Sequence, residues 1–372
     1  MWIKEAFSLD KSKDFILERS FKENPFFEDI AQRILNFESL DFESALKLYR
    51  EGDLFFLGEL ARKVKEKIHG KKYYYTINRH INYTNICVIN CKFCGYHKRP
   101  GEEGGYTLSI DEILKNLKTT PNLKEVHIVG GLNPALPYEY YVELIRKIRE
   151  TFPKIHIRAY TCVEIDWLSR ISQKSIEEVL RELKEAGLNS IPGGGAEVFS
   201  ERIRAELYPT KISSERWIEI AKTAHKLGIP TNATILFGHI ETDEEIIKHL
   251  LILREIQEET KGFYCFIPLA FIPENNELSY LPGPSTHKIL KVIAISRIIL
   301  NNFPHIKAYW VFLGIKLAQV ALLWGADHFH GTVIEEKISE LMKGEPVICL
   351  SPFEIQKLIR EIGGEPVELQ GE

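Results

Sequence analysis

The stretch Asn85-Ile-Cys-Val-Ile-Asn-Cys-Lys-Phe-Cys-Gly-Tyr96 carries three cysteines in a C-x3-C-x2-C spacing, directly after a strand-like segment. Thiolates from Cys87, Cys91 and Cys94 can hold a four-iron cluster and leave one iron open to a small molecule. The alternative is a structural zinc site with His97 as fourth ligand, but such sites usually pair two cysteines with a second ligand pair farther along. The sequence has no such second pair, which favours an iron–sulfur cluster.

The composition is that of an ordinary globular protein, with 372 residues, 44% hydrophobic and 27% charged, and a formal net charge of −4. No basic stripe with interleaved aromatic residues is visible, which argues against a nucleic-acid partner. The longest apolar stretches are too short and too charged to span a membrane, and the first residues lack the pattern of an export signal. We expect a cytoplasmic protein that acts on small molecules, in which Cys162, Cys265 and Cys349 are buried thiols.

Strand-like and helix-like segments alternate through most of the chain and predict an α/β fold, a parallel (β/α)8 barrel of the TIM type. The amphipathic patterns at 176–187, 217–228 and 244–257 predict helices between the strands. We expect an N-terminal helical extension over 1–72, the barrel core over 73–340 and a short helical tail over 341–372. The eight predicted strands are Ile81–Cys87, Val126–Gly131, Ile155–Thr161, Asn189–Gly193, Thr231–Gly238, Phe263–Phe271, Ile306–Leu313 and Ala326–Thr332.

Glycine-rich turns follow two of these strands. The pair Gly130-Gly131 permits a close backbone approach that a side chain would block. The run Pro192-Gly-Gly-Gly-Ala-Glu197 can present N–H groups to an anion, and Glu197 can accept hydrogen bonds from ribose hydroxyls. The simpler alternatives are a common turn for the first motif and an ordinary helix start for the second.

Another polar motif, Gly238-His-Ile-Glu241, follows the fifth predicted strand. His239 is the candidate catalytic residue, because an imidazole there could hydrogen-bond to a substrate or transfer a proton. The alternative is a packed polar residue without a catalytic role.

The cysteine motif with Phe93 before its last cysteine resembles that of the radical S-adenosylmethionine (SAM) superfamily. The resemblance implies a [4Fe-4S] cluster on Cys87, Cys91 and Cys94, whose open iron binds the amino and carboxylate groups of SAM. It also implies SAM as co-substrate and a reducing electron donor such as flavodoxin or ferredoxin. The residues that it places around SAM are Phe93, Gly130, Gly131, Thr161, Gly194, Glu197, Leu236 and Glu241.

Three segments, at 79–87, 130–134 and 192–199, resemble the branch of that superfamily with two enzymes of the futalosine route to menaquinone and a deazaflavin-cofactor synthase component. Four stretches, at 154–165, 232–242, 266–275 and 305–314, are similar to the aminofutalosine synthase family. That family adds the 5′-deoxyadenosyl radical to 3-[(1-carboxyvinyl)oxy]benzoate, with loss of carbon dioxide, to give 6-amino-6-deoxyfutalosine. The alternatives are a sister enzyme that abstracts hydrogen (cyclic dehypoxanthine futalosine synthase or the deazaflavin-forming component) and a zinc-stabilised, non-catalytic barrel that binds a metabolite.

Overall fold

The computed structural model describes residues 25–346 and 348–371. The beginning of the predicted N-terminal extension, including the segment that lacks an export pattern, lies outside these residues. The described part of the extension is helical: α1 spans Pro25–Leu35, α2 Phe42–Glu51 and α3 Leu54–His69. Aspartates cap α2 and α3, and Gly70 ends α3 in a positive-φ conformation that suits glycine.

Parallel strands and helices alternate through the rest of the chain. The strands are β1 Lys72–Thr76, β2 Asn78–Ile81, β3 Glu125–Ile128, β4 His156–Ala159, β5 Thr231–Phe237, β6 Phe263–Ala270, β7 His305–Ile306, β8 His328–Gly331 and β9 Glu365–Leu369. The helices are α4 Ile110–Lys118, α5 Tyr138–Thr151, α6 Cys162–Ser172, α7 Ile176–Ala186, α8 Glu201–Leu207, α9 Ser214–Lys226, α10 Asp243–Thr260, α11 Thr286–Ile299, α12 Trp310–Leu313, α13 Ile315–Leu323, α14 Lys337–Lys343 and α15 Pro352–Glu361.

The strands form three parallel sheets, in the orders β8–β1–β9, β2–β3–β4 and β5–β6–β7. Every strand pair within them is parallel. Isolated parallel bridges join residues of the sheets to residues outside the strands: Arg158 to Ser190, Thr231 to Ile191, His328 to Lys307 and Arg79 to Ile334. The helices that the sequence predicts at 176–187, 217–228 and 244–257 are confirmed as α7, α9 and α10.

Three predicted strands differ from the structure. The first lies earlier, at β2, because Thr84 and Asn85 use their side chains to bond the backbone at Tyr106 and thereby shape a loop. The fourth is reduced to single bridges at Ser190 and Ile191. The seventh ends after Ile306, and the same apolar run continues as the short helix α12, an ambiguity that hydropathy alone does not resolve.

The end of the chain contains a strand that the sequence did not predict. The segment after residue 340 forms the expected helix, α15, and this helix is followed by β9, which pairs with β1. Cys162 and Cys265 are buried as predicted, whereas Cys349 is exposed. Among the described residues, no helix has the length and apolar character needed to cross a membrane.

Candidate active site

A cavity of about 310 Å³ lies where the carboxyl ends of the strands meet the loops that follow them. Its walls include ten of the twelve site residues that the sequence predicts: Cys87, Cys91, Phe93, Cys94, Gly130, Gly131, Thr161, Gly194, Glu197 and Leu236. The described residues that line it do not include His239 or Glu241. The fold therefore gathers residues that lie as much as 149 positions apart in the chain.

The cysteine loop is held by its own backbone. The amide of Cys94 donates to the carbonyl of Cys91 at 2.9 Å, and that of Cys87 donates to Lys98 at 2.9 Å. Burial raises the pKa of the Cys87 and Cys94 thiols, although the backbone of Leu132 and Ile89 near Cys87, and of Tyr96 and His97 near Cys94, opposes that rise. Burial raises the pKa of the Cys91 thiol to about 12, and a coordinating metal would favour its deprotonated form.

The glycine pair packs directly against this loop. A side chain at Gly131 would collide with the carbonyl oxygen of Ile86 and come within 3.0 Å of the Cys87 side chain, and one at Gly130 would meet the Tyr83 ring at 2.7 Å. Both amides are used inside the protein, since Gly130 donates to Glu164 at 3.1 Å and Gly131 donates to Thr84 at 2.9 Å. The backbone groups that this turn can offer to a ligand amine are therefore its carbonyls.

Glu164 connects three parts of the site. Its carboxylate accepts hydrogen bonds from the Tyr83 hydroxyl at 2.8 Å, the Gly130 amide at 3.1 Å and the Thr161 amide at 2.7 Å. The same carboxylate forms a capping box with Thr161 at the start of α6. Burial raises the pKa of Glu164 to about 7, although the bonds from Thr161 and Tyr83 oppose that rise.

The second glycine run brings a buried ion pair to the cluster loop. Glu197 pairs with Lys211, and their side chains are only 10% and 9% exposed. The Lys211 ammonium lies 5.5 Å from the centroid of the Phe93 ring. Burial by itself lowers the pKa of Lys211, but the Glu197 carboxylate outweighs it, so the pKa is raised and the lysine stays charged.

His239 and Glu241 form a compact turn beyond β5. The Glu241 carboxylate accepts from the amides of Gly238 and His239 at 2.7 and 2.9 Å and pairs with Lys288 at 2.6 Å. The two ring nitrogens of His239 contact the Leu236 carbonyl and the Ile240 amide at 3.0 and 2.7 Å. Burial lowers the pKa of His239. Both nitrogens are engaged within this turn, and the catalytic role of His239 and the SAM contact of Glu241 stay predictions.

The spread of the thiols distinguishes a cluster from a zinc ion. Zn–S bonds of about 2.3 Å keep the sulfurs of one zinc ion within roughly 4.6 Å of one another. Among the described residues, one group of three or more histidine, cysteine or acidic side chains has all its ligand atoms within 4.8 Å of one another, and it consists of His69, His305 and Asp327. The sulfurs of the three cysteines do not meet this distance. Asp327 also pairs with the buried guanidinium of Arg297, which disfavours a cation there. Three separated thiols in one cavity fit a larger group such as [4Fe-4S].

Sequence reasoning missed several residues that line the cavity. Lys211 stands in a loop with no motif, and Glu164 looks like an ordinary helix cap. Lys307 was missed as well, whereas Arg158 is one of several arginines that the sequence offers as possible anion partners. Both lie within predicted strands, where the alternation of side chains was the available signal that they face inward.

The sequence matches two family models. Residues 81–253 match the radical SAM superfamily, and residues 260–370 match the CofH/MqnC C-terminal region. The chain is 43% identical to aminodeoxyfutalosine synthase of Thermus thermophilus over 91% of its own length and 93% of that protein. It is 37% identical to aminodeoxyfutalosine synthase of Streptomyces coelicolor over 91% of both chains. It is also 41% identical to a 5-amino-6-(D-ribitylamino)uracil–L-tyrosine 4-hydroxyphenyl transferase of Methanocaldococcus jannaschii, over 88% of this chain and 94% of that protein.

Two solved structures share the fold. Methylornithine synthase (PylB) superposes with a TM-score of 0.73 at 20% identity, over 92% of this chain and 98% of that one. The [FeFe]-hydrogenase maturase HydG superposes with a TM-score of 0.74 at 19% identity, over 96% and 79%. The family models and the relatives agree with the cysteine spacing and the cavity. The chain therefore belongs to the radical SAM superfamily, whose cofactors are a [4Fe-4S] cluster and SAM, in the group that includes the aminodeoxyfutalosine synthases.

Proposed function

We propose that this enzyme transfers the 5′-deoxyadenosyl group of SAM to the vinyl carbon of 3-[(1-carboxyvinyl)oxy]benzoate, with loss of carbon dioxide, to give 6-amino-6-deoxyfutalosine. The observation that carries the proposal is the 43% identity to an aminodeoxyfutalosine synthase over nearly the whole of both chains. The cavity supports it, because thiols, glycine turns and an apolar wall that includes Leu236 and Leu269 meet in one space.

Within this proposal Cys87, Cys91 and Cys94 hold the cluster. When bound, the cluster supplies the electron that cleaves SAM and yields the 5′-deoxyadenosyl radical. The carbonyls of the Gly130-Gly131 turn accept from the SAM amine, and Glu197 accepts from the ribose hydroxyls. Phe93 and Leu236 pack near the adenine, while Thr161 and Gly194 shape the space between them. The protein contributes chiefly positioning and exclusion of water.

We also infer that the three sheets form one (β/α)8 barrel. The support lies in the isolated bridges, which run in the order expected for a continuous ring: β4 to Ser190, Ile191 to β5, Lys307 to β8, and β2 to Ile334 just after β8. In a barrel, residues at the carboxyl ends of all strands face one opening. This explains why so distant residues share one cavity.

An electron donor such as flavodoxin or ferredoxin is proposed to reach the cluster from the outer side of the cysteine loop. Cys94 lines the inner cavity and also an open depression on the surface, whose rim includes Lys92 and Lys98. A short path through Cys94 would therefore connect the surface to the cluster.

A sister reaction is the second candidate, because relatives with that activity are nearly as similar. The transferase of Methanocaldococcus jannaschii reaches 41% identity, within two points of the first relative. The name of that protein gives L-tyrosine and 5-amino-6-(D-ribitylamino)uracil as its substrates.

The deciding experiment compares the two substrate sets. Anaerobically reconstituted enzyme with about four irons is reduced, mixed with SAM, and given either the carboxyvinyloxy benzoate or the tyrosine and uracil pair. We expect an adenosyl adduct by mass spectrometry with the first set alone. Free 5′-deoxyadenosine without that adduct would contradict the proposal, and product from the second set would establish the sister activity. A colourless protein with stoichiometric zinc would exclude both.

A further inference from the structure

Two parts of the chain build the wall of the cavity, and they match different family models. The wall residues that the proposed function places around the cluster and SAM all lie within 81–253, the part that matches the radical SAM superfamily. A second group of wall residues lies within 260–370, the part that matches the CofH/MqnC C-terminal region. SAM is common to the superfamily, so this second group is the part of the wall that is left to meet the acceptor substrate.

The second group, which we call the C-terminal wall, is largely apolar. Three of its members, Lys307, His330 and Glu336, are polar. The others are apolar or aromatic: Ile267, Leu269, Tyr309, Phe312, Ile338 and Met342. A pocket with this composition binds a ligand chiefly through apolar contact, and its polar groups set the orientation of that ligand.

Two aromatic rings stand next to each other in the C-terminal wall. The ring centroids of Tyr309 and Phe312 are 5.3 Å apart, and the ring planes are inclined by 29°. The His330 ring meets Tyr309 from another side, edge to face, at 4.5 Å. Tyr309 is only 9% exposed, whereas Phe312 is half-buried and makes no second ring contact among the described residues. The part of the Phe312 ring that Tyr309 does not cover therefore faces the cavity.

The backbone holds Phe312 in this position. Phe312 belongs to the short helix α12, which directly follows the segment bridged to β8. The Trp310 indole N–H at the start of that helix donates to the Gly331 carbonyl, at the end of β8, over 2.9 Å. Gly314 ends the helix with a φ of +78°, and its amide donates to the Trp310 carbonyl at 2.7 Å. A ring fixed in this way loses little freedom when a ligand packs on it.

We propose that the Phe312 ring, backed by Tyr309, packs against the aryl ring of the acceptor substrate, an inference that rests on the proposed function. Aromatic rings prefer offset-stacked or edge-to-face contact with one another, and such contact adds to the effect of apolar burial. In 3-[(1-carboxyvinyl)oxy]benzoate the aryl ring and the vinyl carbon are joined through one ether oxygen. Fixing the ring against the C-terminal wall therefore limits where the vinyl carbon can lie and keeps it facing SAM.

Two other roles of this ring have to be distinguished. In the first, Phe312 packs against the adenine of SAM, which is also aromatic. In the second, it only stabilises the fold through Tyr309. An adenine contact would change the affinity for SAM, and a purely structural ring would affect every ligand of the cavity equally.

The test uses two ligands of equal charge, 3-methoxybenzoate and 3-methoxycyclohexanecarboxylate, which differ in whether the ring is aromatic. Their dissociation constants are measured by calorimetry with the anaerobically reconstituted enzyme in the presence of SAM. We expect the wild type to bind the benzoate about 2- to 10-fold more tightly. Phe312→Leu keeps an apolar side chain without a ring, so it should bring the ratio of the two constants close to 1. The dissociation constant of SAM should stay within about 2-fold of the wild type.

The matched control is Phe27→Leu. Phe27 is also half-buried and contacts one ring, that of Phe56 at 5.0 Å, but it lies on α1 and outside the cavity wall. This variant should lose stability and keep the wild-type ratio. If Phe312→Leu does not fold, Phe312→Met replaces it, because methionine is unbranched and adapts to an irregular space.

Three results would overturn the proposal. They are equal binding of both ligands by the wild type, an unchanged ratio in the Phe312 variant, and a loss of SAM affinity in place of the change in ratio. Neither ligand has a vinyl group, so the measurement needs no turnover. A wild type that forms no adduct but binds the benzoate more tightly through Phe312 would therefore refute the proposed reaction and keep the aryl site.

Discussion

The ion pair between Lys211 and Glu197 gives the sharpest prediction, because it is buried between the glycine run and the loop that holds the cysteines. The change is Lys211→Met, which keeps the length of the side chain and removes its charge. Glu197 is then left as a buried carboxylate without its cation. Breaking one partner of a buried pair costs roughly 3–5 kcal/mol. Loss of the cation near the Phe93 ring adds about 0.5–1 kcal/mol.

Methionine recovers part of this loss through packing, so we expect a net decrease of about 3 kcal/mol in the free energy of unfolding. Urea unfolding of the cluster-free protein, followed by circular dichroism, measures it. The matched control is Lys222→Met, whose partner Glu259 is 61% exposed and whose loss should cost at most about 1 kcal/mol. The double variant with Glu197→Gln should lose far less than the sum of the single variants. Additive losses, or equal effects of the two lysine variants, would refute the pairing argument.

Three other predictions concern the same site. Cys91→Ala should abolish both iron binding and turnover, whereas Cys265→Ala, a buried thiol outside the cavity, should keep the full iron content. Gly131→Ala places a methyl group against the loop that holds the cysteines, so the iron content of protein reconstituted with limiting iron should fall. An unchanged iron content would show that the loop moves aside and would contradict this reasoning. Glu164 has a pKa of about 7 against an ordinary 4.5, so its contribution to stability is complete below about pH 4.5 and is lost as the pH rises through 7. The total is about 3 kcal/mol, and Glu164→Gln should flatten this part of the pH profile of unfolding; the same slope in both proteins would contradict the assignment.

Motifs with short-range signals were predictable from the sequence. The cysteine loop, the glycine turns and the helices between strands depend on neighbours within a few positions, and those local patterns are visible in the chain. The position of Thr161 also followed, since it lies just after β4 and caps α6 with a side chain typical of that place. The structure adds the reason for the glycines, which is the approach of Ile86 and Tyr83.

Residues whose role depends on distant contacts were not predictable. Lys211 meets Glu197 fourteen positions away across a loop, and no pattern marks it. The sequence also gave no sign that the Glu241 carboxylate binds the amides of Gly238 and His239. The catalytic role of His239 stays a prediction. The strand at Ile306 was overextended because a run of apolar residues suits a buried strand and a buried helix equally.

The strand–helix unit of β4 and α6 contributes three residues to the site. Arg158 lies within β4 and lines the cavity, Thr161 follows the strand by two residues and caps α6, and Glu164 lies in the first turn of α6 and accepts a hydrogen bond from the Gly130 amide. These residues are three positions apart, so each lies about 10 Å from the next along an extended strand or one turn along a helix. A substitution of Arg158 leaves the hydrogen bonds of Thr161 and Glu164 in place. Contacts made within β4 can therefore change while the hydrogen bonds that connect Gly130, Thr161 and Glu164 stay the same.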